Sequence, residues 1–313
     1  MLAEHGTFHH VYDFYNLELP FGIEVPLPYI GGDSLQSSEF ALSKFMMLQV
    51  LAFLIALWIF RGVAARVRGG RPVNGWFWNF WEMLALYIRD EVVRPVIGDP
   101  HAHGHGDHGH GDHGHGDHDH EDHESSSFEL HHGPAISGHP ADKYLPFIWS
   151  CFFYILFCNL LGAVPWMGSP TGSISVTLGL ALTAFGATYR YGAAMHGHVG
   201  FWTHLIPHID APFAMKIVLI PLIFVIEVIG LFIKHAVLAV RLFANIMGGH
   251  TVLGVILGFI FAVANHGAWW AVAPASLAGQ VGVGLLELLV AFIQAYVFSF
   301  LSTIFIAMSL HEH

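Results

Sequence analysis

The sequence predicts an all-α integral membrane protein with about five membrane helices plus an interfacial amphipathic helix, the last two membrane helices forming a long tilted hairpin. Of 313 residues, 54% are hydrophobic and 11% are charged, whereas soluble domains carry about 25% charged residues. Several windows of about 20 residues are almost free of charge, which is enough to cross a hydrocarbon core of about 30 Å. The lipid bilayer is therefore the solvent in which we expect this chain to fold.

The first element is an N-terminal arm, residues 1–38. It holds five acidic residues, no Lys or Arg, and three prolines, Pro20, Pro26 and Pro28, that interrupt any long helix. We therefore expect an irregular extracytoplasmic arm. No basic leader with a cleavage site precedes the first apolar run, so that run is expected to stay in the mature protein.

Residues 39–100 are predicted to form the first span and an inner-surface amphipathic helix. From Glu39 to Phe60 the sequence turns apolar apart from Lys44 near its start, and Arg61, Arg66, Arg68 and Arg71 follow directly. The positive-inside rule places this cluster inside and the N-terminus outside. Residues 75–96 mix tryptophans with both signs of charge, which suits the headgroup zone.

A His/Gly/Asp-rich inner loop is predicted for residues 101–142. HGHGD occurs three times in a row from His103 to Asp117, and such a composition cannot build a core. The histidines include candidate low-specificity metal ligands, although composition alone favours a solvated insertion without a role. These candidates are His101, His103, His105, His108, His110 and His113.

Residues 143–313 are predicted to form the membrane core. Two spans, 144–164 and 173–191, precede apolar stretches at 212–264 and 276–310. A helix of about 50 residues would be about 75 Å long, so the first stretch must tilt strongly, bend, or break near Gly248 and Gly249. Counting the crossings puts the C-terminus inside.

Polar residues within the last two segments are the candidate functional residues, because each charged group costs about 2.5–3.5 kcal/mol at mid-membrane. Their spacing of seven or four places them on one face of each helix. This indicates a protein-facing or water-facing interface, or a structural network in which Glu227 or Glu287 neutralises a cation. The first helix carries Glu227, Lys234, Arg241 and Asn245; the second carries Gln280, Glu287 and Gln294.

The run EVIGLFIKHAVLAVRLFANIMGGH, residues 227–250, resembles subunit a of F-type ATP synthases, whose hallmark is an arginine in an R-L-F-x-N segment. NLLGAVP at 159–165, PTGSISVTLGLAL at 170–182 and FIQAYVFSFLSTIFIAMS at 292–309 resemble the other spans of that family. The likeness therefore covers most of the chain after residue 143.

The resemblance implies a proton-translocating stator subunit that provides two half-channels to a c-ring and couples proton flow to rotation. It assigns Arg241 to the essential charge barrier facing the ring carboxylate, Asn245 and Gln294 to its polar neighbours, and Glu227 and Lys234 to the upstream part of that helix. His250 and Glu287 match two channel positions that some members fill with the opposite pair, an acid and then a histidine.

The side-chain chemistry agrees with these roles. A guanidinium stays protonated, so Arg241 attracts and blocks but does not relay protons. Imidazole and a desolvated carboxyl group exchange protons near neutral pH, which suits His250 and Glu287. One departure from the family is that Ser173 and Ser175 stand where relatives often have Asp and Asn, which predicts a less acidic entrance.

The implied partners are c-ring subunits, peripheral-stalk subunits of the b type, the lipid bilayer and, indirectly, the F1 sector, with no nucleic acid and no cofactor. No P-loop, G-x-S-x-G or H-E-x-x-H motif is present, so we expect a non-catalytic subunit. A bacterial plasma membrane is favoured, and the mitochondrial inner membrane is also compatible.

Two rival functions remain. A divalent-metal transporter would explain the histidine tract, but it needs ligand pairs inside the spans, and the nearest pair, His204 and His208, straddles Pro207 in a loop. A membrane cytochrome using His235, His250 and His266 would need histidines that face each other at matched depths.

Overall fold

The computed structural model describes residues 43–67, 75–98, 139–164, 168–204, 213–263 and 267–310, together with the backbone of four short strands near the N-terminus. The described segments of the membrane core are helices joined by short turns, so the predicted all-α membrane fold class is confirmed. Four of the helices described are long and apolar enough to cross a bilayer. The histidine tract at 101–123 lies outside the described residues.

Two antiparallel ladders form near the N-terminus, one within the arm and one between the arm and residues 40–41, where the first span was predicted to begin. Strand β1 (Asn16–Leu19) pairs with β2 (Ile23–Pro26), and β3 (Tyr29–Ile30) pairs with β4 (Phe40–Ala41). The prediction of a wholly irregular arm is therefore wrong. Prolines exclude long helices but tolerate short edge strands, and the sequence Pro-Phe-Gly between β1 and β2 favours a turn.

Helix α1 (Lys44–Val67) is the first span, and it starts later and ends later than the sequence predicts. Its last turns include Arg61 and Arg66, which the prediction placed beyond the helix. The Arg66 guanidinium lies 3.9 Å from the ring centroid of Trp78 and also donates to the Gly62 carbonyl. A long basic side chain can extend from an apolar stem to a polar or aromatic site, so the helix continues past its first arginine.

The predicted surface helix forms as one rod with a wider turn inside it. Helix α2 (Trp76–Tyr87) continues through a π-helical segment (Ile88–Val93) into α3 (Arg94–Ile97). Its buried face includes Trp81, Ala85 and Ile88. The Trp149 indole N–H donates to the Ala85 carbonyl at 3.0 Å, which attaches this rod to the next span.

The centre of the bundle is α4 (Leu145–Gly162), which packs on α1 and on the last helix of the chain. Helix α5 (Ile174–His196) follows and turns at Gly197, whose φ of 80° suits glycine, into α6 (His198–His204). Both spans predicted at 144–164 and 173–191 are helical. At 23 residues α5 is long enough to cross, but it is less apolar than the four spans, so a fifth crossing stays a prediction.

The hairpin consists of α7 (Phe213–Ala262, 50 residues) and α8 (Trp269–Leu310, 42 residues). Of the three alternatives for the first stretch, a break near Gly248 and Gly249 is wrong, because α7 continues through both glycines. The two helices pack on each other, and α5 packs on both. Side-chain packing on one face thus holds a helix that glycines alone would weaken.

An ion pair fastens the surface rod to the start of the core. Arg94 of α3 donates through Nε and Nη2 to the Asp142 carboxylate, both at 3.1 Å, in a short 3-10 segment (Pro140–Lys143) just before α4. The hydrogen bond from Arg94 lowers the pKa of Asp142 below its ordinary value. A carboxylate with a depressed folded-state pKa stabilises the fold above its unfolded pKa and loses this effect as the pH falls through the folded value.

We therefore expect Asp142→Asn to reduce the stability of the purified protein by about 0.5–1 kcal/mol at pH 7, since the pair is partly exposed. The deficit relative to the unaltered chain should shrink as the pH falls from 5 to 3. Thermal unfolding in mild detergent measures it. Glu91→Gln is the control, because Glu91 is an exposed carboxylate on the same rod and lies outside the Arg94–Asp142 pair; an equal, pH-independent loss in both variants would contradict the role of the pair.

Candidate functional site

The polar residues predicted on α7 lie beside the buried face of the helix. Leu238, Leu242 and Ile246 are buried toward the bundle, whereas a stripe of polar side chains runs along the flank and stays partly exposed. We call this the α7 stripe; it consists of Glu227, Lys234, Arg241 and Asn245. This placement is consistent with the prediction that the four residues share one face. The buried residues of α7 lie toward α5 and α8, on which the helix packs.

Arg241 has no anionic partner in the described part of the chain. No ion pair or hydrogen bond joins its guanidinium to a described residue, and Glu227 stands 14 residues upstream, about 21 Å away along the continuous helix. A charge on a membrane helix without a counter-charge is costly. The arrangement therefore calls for an anion supplied from outside the described chain.

His250 and Glu287 are brought together across the hairpin. Nε2 of His250 lies 4.0 Å from Oε1 of Glu287, and the side chains are 18% and 8% exposed. Neither atom has a hydrogen-bond partner among the described residues, although both are buried. Buried polar atoms are nearly always hydrogen-bonded, so both atoms have capacity left to accept or donate a proton.

Gly249 makes this approach possible, and sequence reasoning missed its role. A Cβ at position 249 would lie 2.9 Å from Oε1 and 3.1 Å from Cδ of Glu287, whereas one at Gly248 would meet no atom within 4 Å. The backbone of α7 thus forms one wall of the Glu287 site. The Gly-Gly pair was visible in the sequence, but only the packing of α8 separates its two members.

The rest of α8 extends the polar surface inward from Glu287. Gln294 is buried two turns later, and Ser299 and Ser302 follow with hydroxyl oxygens that have no partner in the described residues. Gln280, one heptad before Glu287, is only partly covered. The predicted heptad spacing therefore describes a face that becomes more buried toward the C-terminus.

A second polar cluster, near the 3-10 turn Pro170–Gly172, was also missed. The Thr171 hydroxyl donates to the Asn159 amide oxygen at 2.8 Å and lies 2.8 Å from the Ser169 hydroxyl. Thr171 is wholly buried, whereas Ser173 and Ser175, which the sequence singled out, are more exposed. The Asn in NLLGAVP, followed by the Pro-Thr-Gly turn, was the available signal.

His235, considered above as a metal or haem ligand, sits among aromatic rings. Its Nδ1 donates to the Leu231 carbonyl at 2.9 Å, and the rings of Phe185 and Phe305 pack on it at 5.4 and 4.8 Å between centroids. Across the residues that the structure describes, no three His, Cys, Asp or Glu side chains are grouped so that they could hold a metal ion. His266 and His208 lie outside those residues.

The comparisons with known proteins all point to one family. A sequence model described as ATP synthase A chain matches residues 132–307. ATP synthase subunit a of Chloroherpeton thalassium is 33% identical over 98% of this chain and 77% of that protein, and the one of Anaeromyxobacter dehalogenans strain 2CP-1 is 32% identical over 97% and 69%. ATP synthase subunit a of Myxococcus xanthus is 37% identical over 75% of this chain, which spans 62% of that relative.

Proposed function

Because this chain belongs to the ATP synthase A chain family, we propose that it is the proton-channel subunit in the membrane sector of a rotary ATP synthase. In this role it provides two half-channels to a ring of c subunits and couples proton flow to ring rotation. It catalyses no bond chemistry itself. ATP is made or hydrolysed by the F1 sector, which the peripheral stalk holds against this subunit.

The observation that carries the proposal is the guanidinium of Arg241, which pairs with no described residue, together with a separate, buried acid–base pair. A permanent cation attracts a deprotonated ring carboxylate and does not attract a protonated one. The ring carboxylate must therefore pick up a proton before it leaves Arg241 toward the lipid. The missing counter-ion of Arg241 is, in this proposal, the c-ring carboxylate.

His250 and Glu287 form the outer half-channel in the proposal. Their contact at 4.0 Å permits a proton to pass between imidazole and carboxylate after a small side-chain movement. Asn245 lies between His250 and Arg241 on α7, and Gln294 follows Glu287 on α8. Glu227 and Lys234 line the path on the other side of Arg241. Protons enter from outside, load the ring, and leave inward past the upstream part of the α7 stripe.

The membrane placement follows from the same proposal. With the arginines of α1 on the inner side, the N-terminal arm lies outside and the C-terminus inside. The unit from 143 to 313 is the channel core, 39–100 is the span and surface helix that brace it, and 101–142 is an insertion on the inner side. We place the chain in a bacterial plasma membrane.

Replacing Arg241 by Ala or Lys should reduce ATP synthesis driven by a proton gradient in membrane vesicles by about 100-fold or more, because the charge that separates the half-channels is lost or can be neutralised. Arg190→Ala is the control, since Arg190 is an exposed cation at the end of α5, and it should leave synthesis within about twofold. Normal coupling in Arg241→Ala would contradict the assigned role.

Exchange of the acid–base pair should rescue activity that single changes remove. His250→Glu puts two carboxylates in contact and Glu287→His puts two imidazoles there, so each should lower ATP-driven proton pumping by about tenfold. The double variant restores one acid and one base and should recover most of the rate. Losses that simply multiply in the double variant would show that the two residues act independently.

Gly249→Ala should lower proton pumping by about 10- to 100-fold, because the new methyl group displaces the Glu287 carboxylate. Gly258→Ala is the matched control, because a methyl group there meets no atom of the described chain within 4 Å and position 258 lies off the α7 stripe, and pumping should stay within about twofold. Equal effects of the two substitutions would indicate that helix flexibility, and not the position of Glu287, limits the rate.

A further inference from the structure

A groove of about 830 Å³ runs along the bundle between α1 on one side and α4 and α5 on the other. Its volume falls within the range of about 300–1,000 Å³ that is usual for ligand sites. The walls are apolar and include Phe53 and Leu57 from α1, Phe147 and Tyr154 from α4, and Leu180 from α5. Phe53 and Leu57 are exposed, so nothing in the described chain covers the groove.

Aromatic packing forms the floor of the groove. The ring of Phe60 lies edge-on to Phe153 with centroids 4.4 Å apart, and Trp81 packs on Phe153 and Phe157 at 6.1 and 5.2 Å. Phe60 and Phe153 line the groove, and Trp81 and Phe157 pack behind them. The floor of the groove is therefore a packed aromatic surface.

Two residues of opposite charge line the groove at its end near α2. Glu82 and Arg89 both line the groove, about 10 Å apart along the helix axis. Arg89 holds Asp90 through Nε and Nη2, and its Nη1 has no hydrogen-bond partner among the described residues. Glu82 is half-buried and makes no ion pair or hydrogen bond with the described residues, although a carboxylate beside an apolar groove needs a donor.

The apolar walls alone do not select an occupant. A lipid acyl chain that enters the groove leaves one hydrocarbon environment for another, so its transfer gains little free energy. A preference for one molecule must come from the charged end. There a phosphate fits the Nη1 group of Arg89, and a primary ammonium group fits Glu82.

We propose that this groove binds one phospholipid with a primary-amine headgroup, phosphatidylethanolamine in chemical terms, with an acyl chain between α1 and α4 and its headgroup between Glu82 and Arg89. Phosphatidylglycerol offers the same phosphate and acyl chains but no cation for Glu82. The site is separate from the α7–α8 contact, and the proposal does not depend on the proton pathway.

The test uses the full chain in vesicles made of equal parts phosphatidylethanolamine and phosphatidylglycerol, with a photoreactive acyl chain on one lipid at a time. Cross-linked peptides are identified by mass spectrometry. Peptides of α1 and α4 that line the groove should be labelled about 5- to 10-fold more by the ethanolamine lipid than by the glycerol lipid. Equal labelling by the two lipids would overturn the proposal.

Two variants and one control identify the cause of the preference. Glu82→Gln conserves size and should abolish the preference while total labelling persists, and Arg89→Gln should lower labelling by both lipids. Glu91→Gln is the control, because Glu91 is an exposed carboxylate on the same rod outside the groove. A preference that survives Glu82→Gln would contradict the headgroup contact.

The same labelling in the intact complex addresses the competing occupant. Persistence of the ethanolamine preference there supports a bound lipid. If labelling of the groove disappears on assembly and protein cross-links from α1 to another subunit replace it, the groove is a seat for a partner helix and the lipid proposal fails.

Discussion

Isolated charge is expensive in a hydrocarbon medium, and this constraint determines most of what the chain builds. Backbone groups satisfy themselves in helices, so only side chains are left to place. Acid and base meet across the α7–α8 contact, where His250 faces Glu287. The one strongly basic group of the α7 stripe that cannot lose its proton, Arg241, lies on the flank, where another chain can reach it. The packing of α7 on α8 therefore brings His250 and Glu287 into contact and leaves Arg241 accessible to another chain.

Heptad spacing identified the polar face of α7 and the Glu287–Gln294 face of α8, because a helix converts spacing into direction without help from tertiary structure. The pairing of His250 with Glu287 came from a family likeness that the comparisons confirm, not from spacing. The roles of Gly249 and Thr171 were not predicted, because they depend on contacts between segments that are far apart in the sequence. The β-ladders near the N-terminus were not predicted, because proline disfavours helix but does not exclude short strands.

The surface rod and the hairpin are linked through α4. Trp149 of α4 donates to the carbonyl of Ala85, Arg94 holds Asp142 just before α4 begins, and α4 in turn packs on α8. These contacts comprise one hydrogen bond, one ion pair and a buried apolar surface, so the rod is attached to the bundle at more than one place. The polar site consequently rests on a scaffold that spans most of the described helices, and it does not depend on α7 and α8 alone.

Helix α7 runs for 50 residues without a break. Besides Pro221 near its start, the adjacent Gly248 and Gly249 form a point at which such a helix bends readily. That weak point is adjacent to His250 and touches Glu287. Under the proposed function, bending there would change the gap between the His250 imidazole and the Glu287 carboxylate, so strain in the stator and the rate of proton exchange would be coupled at these two residues.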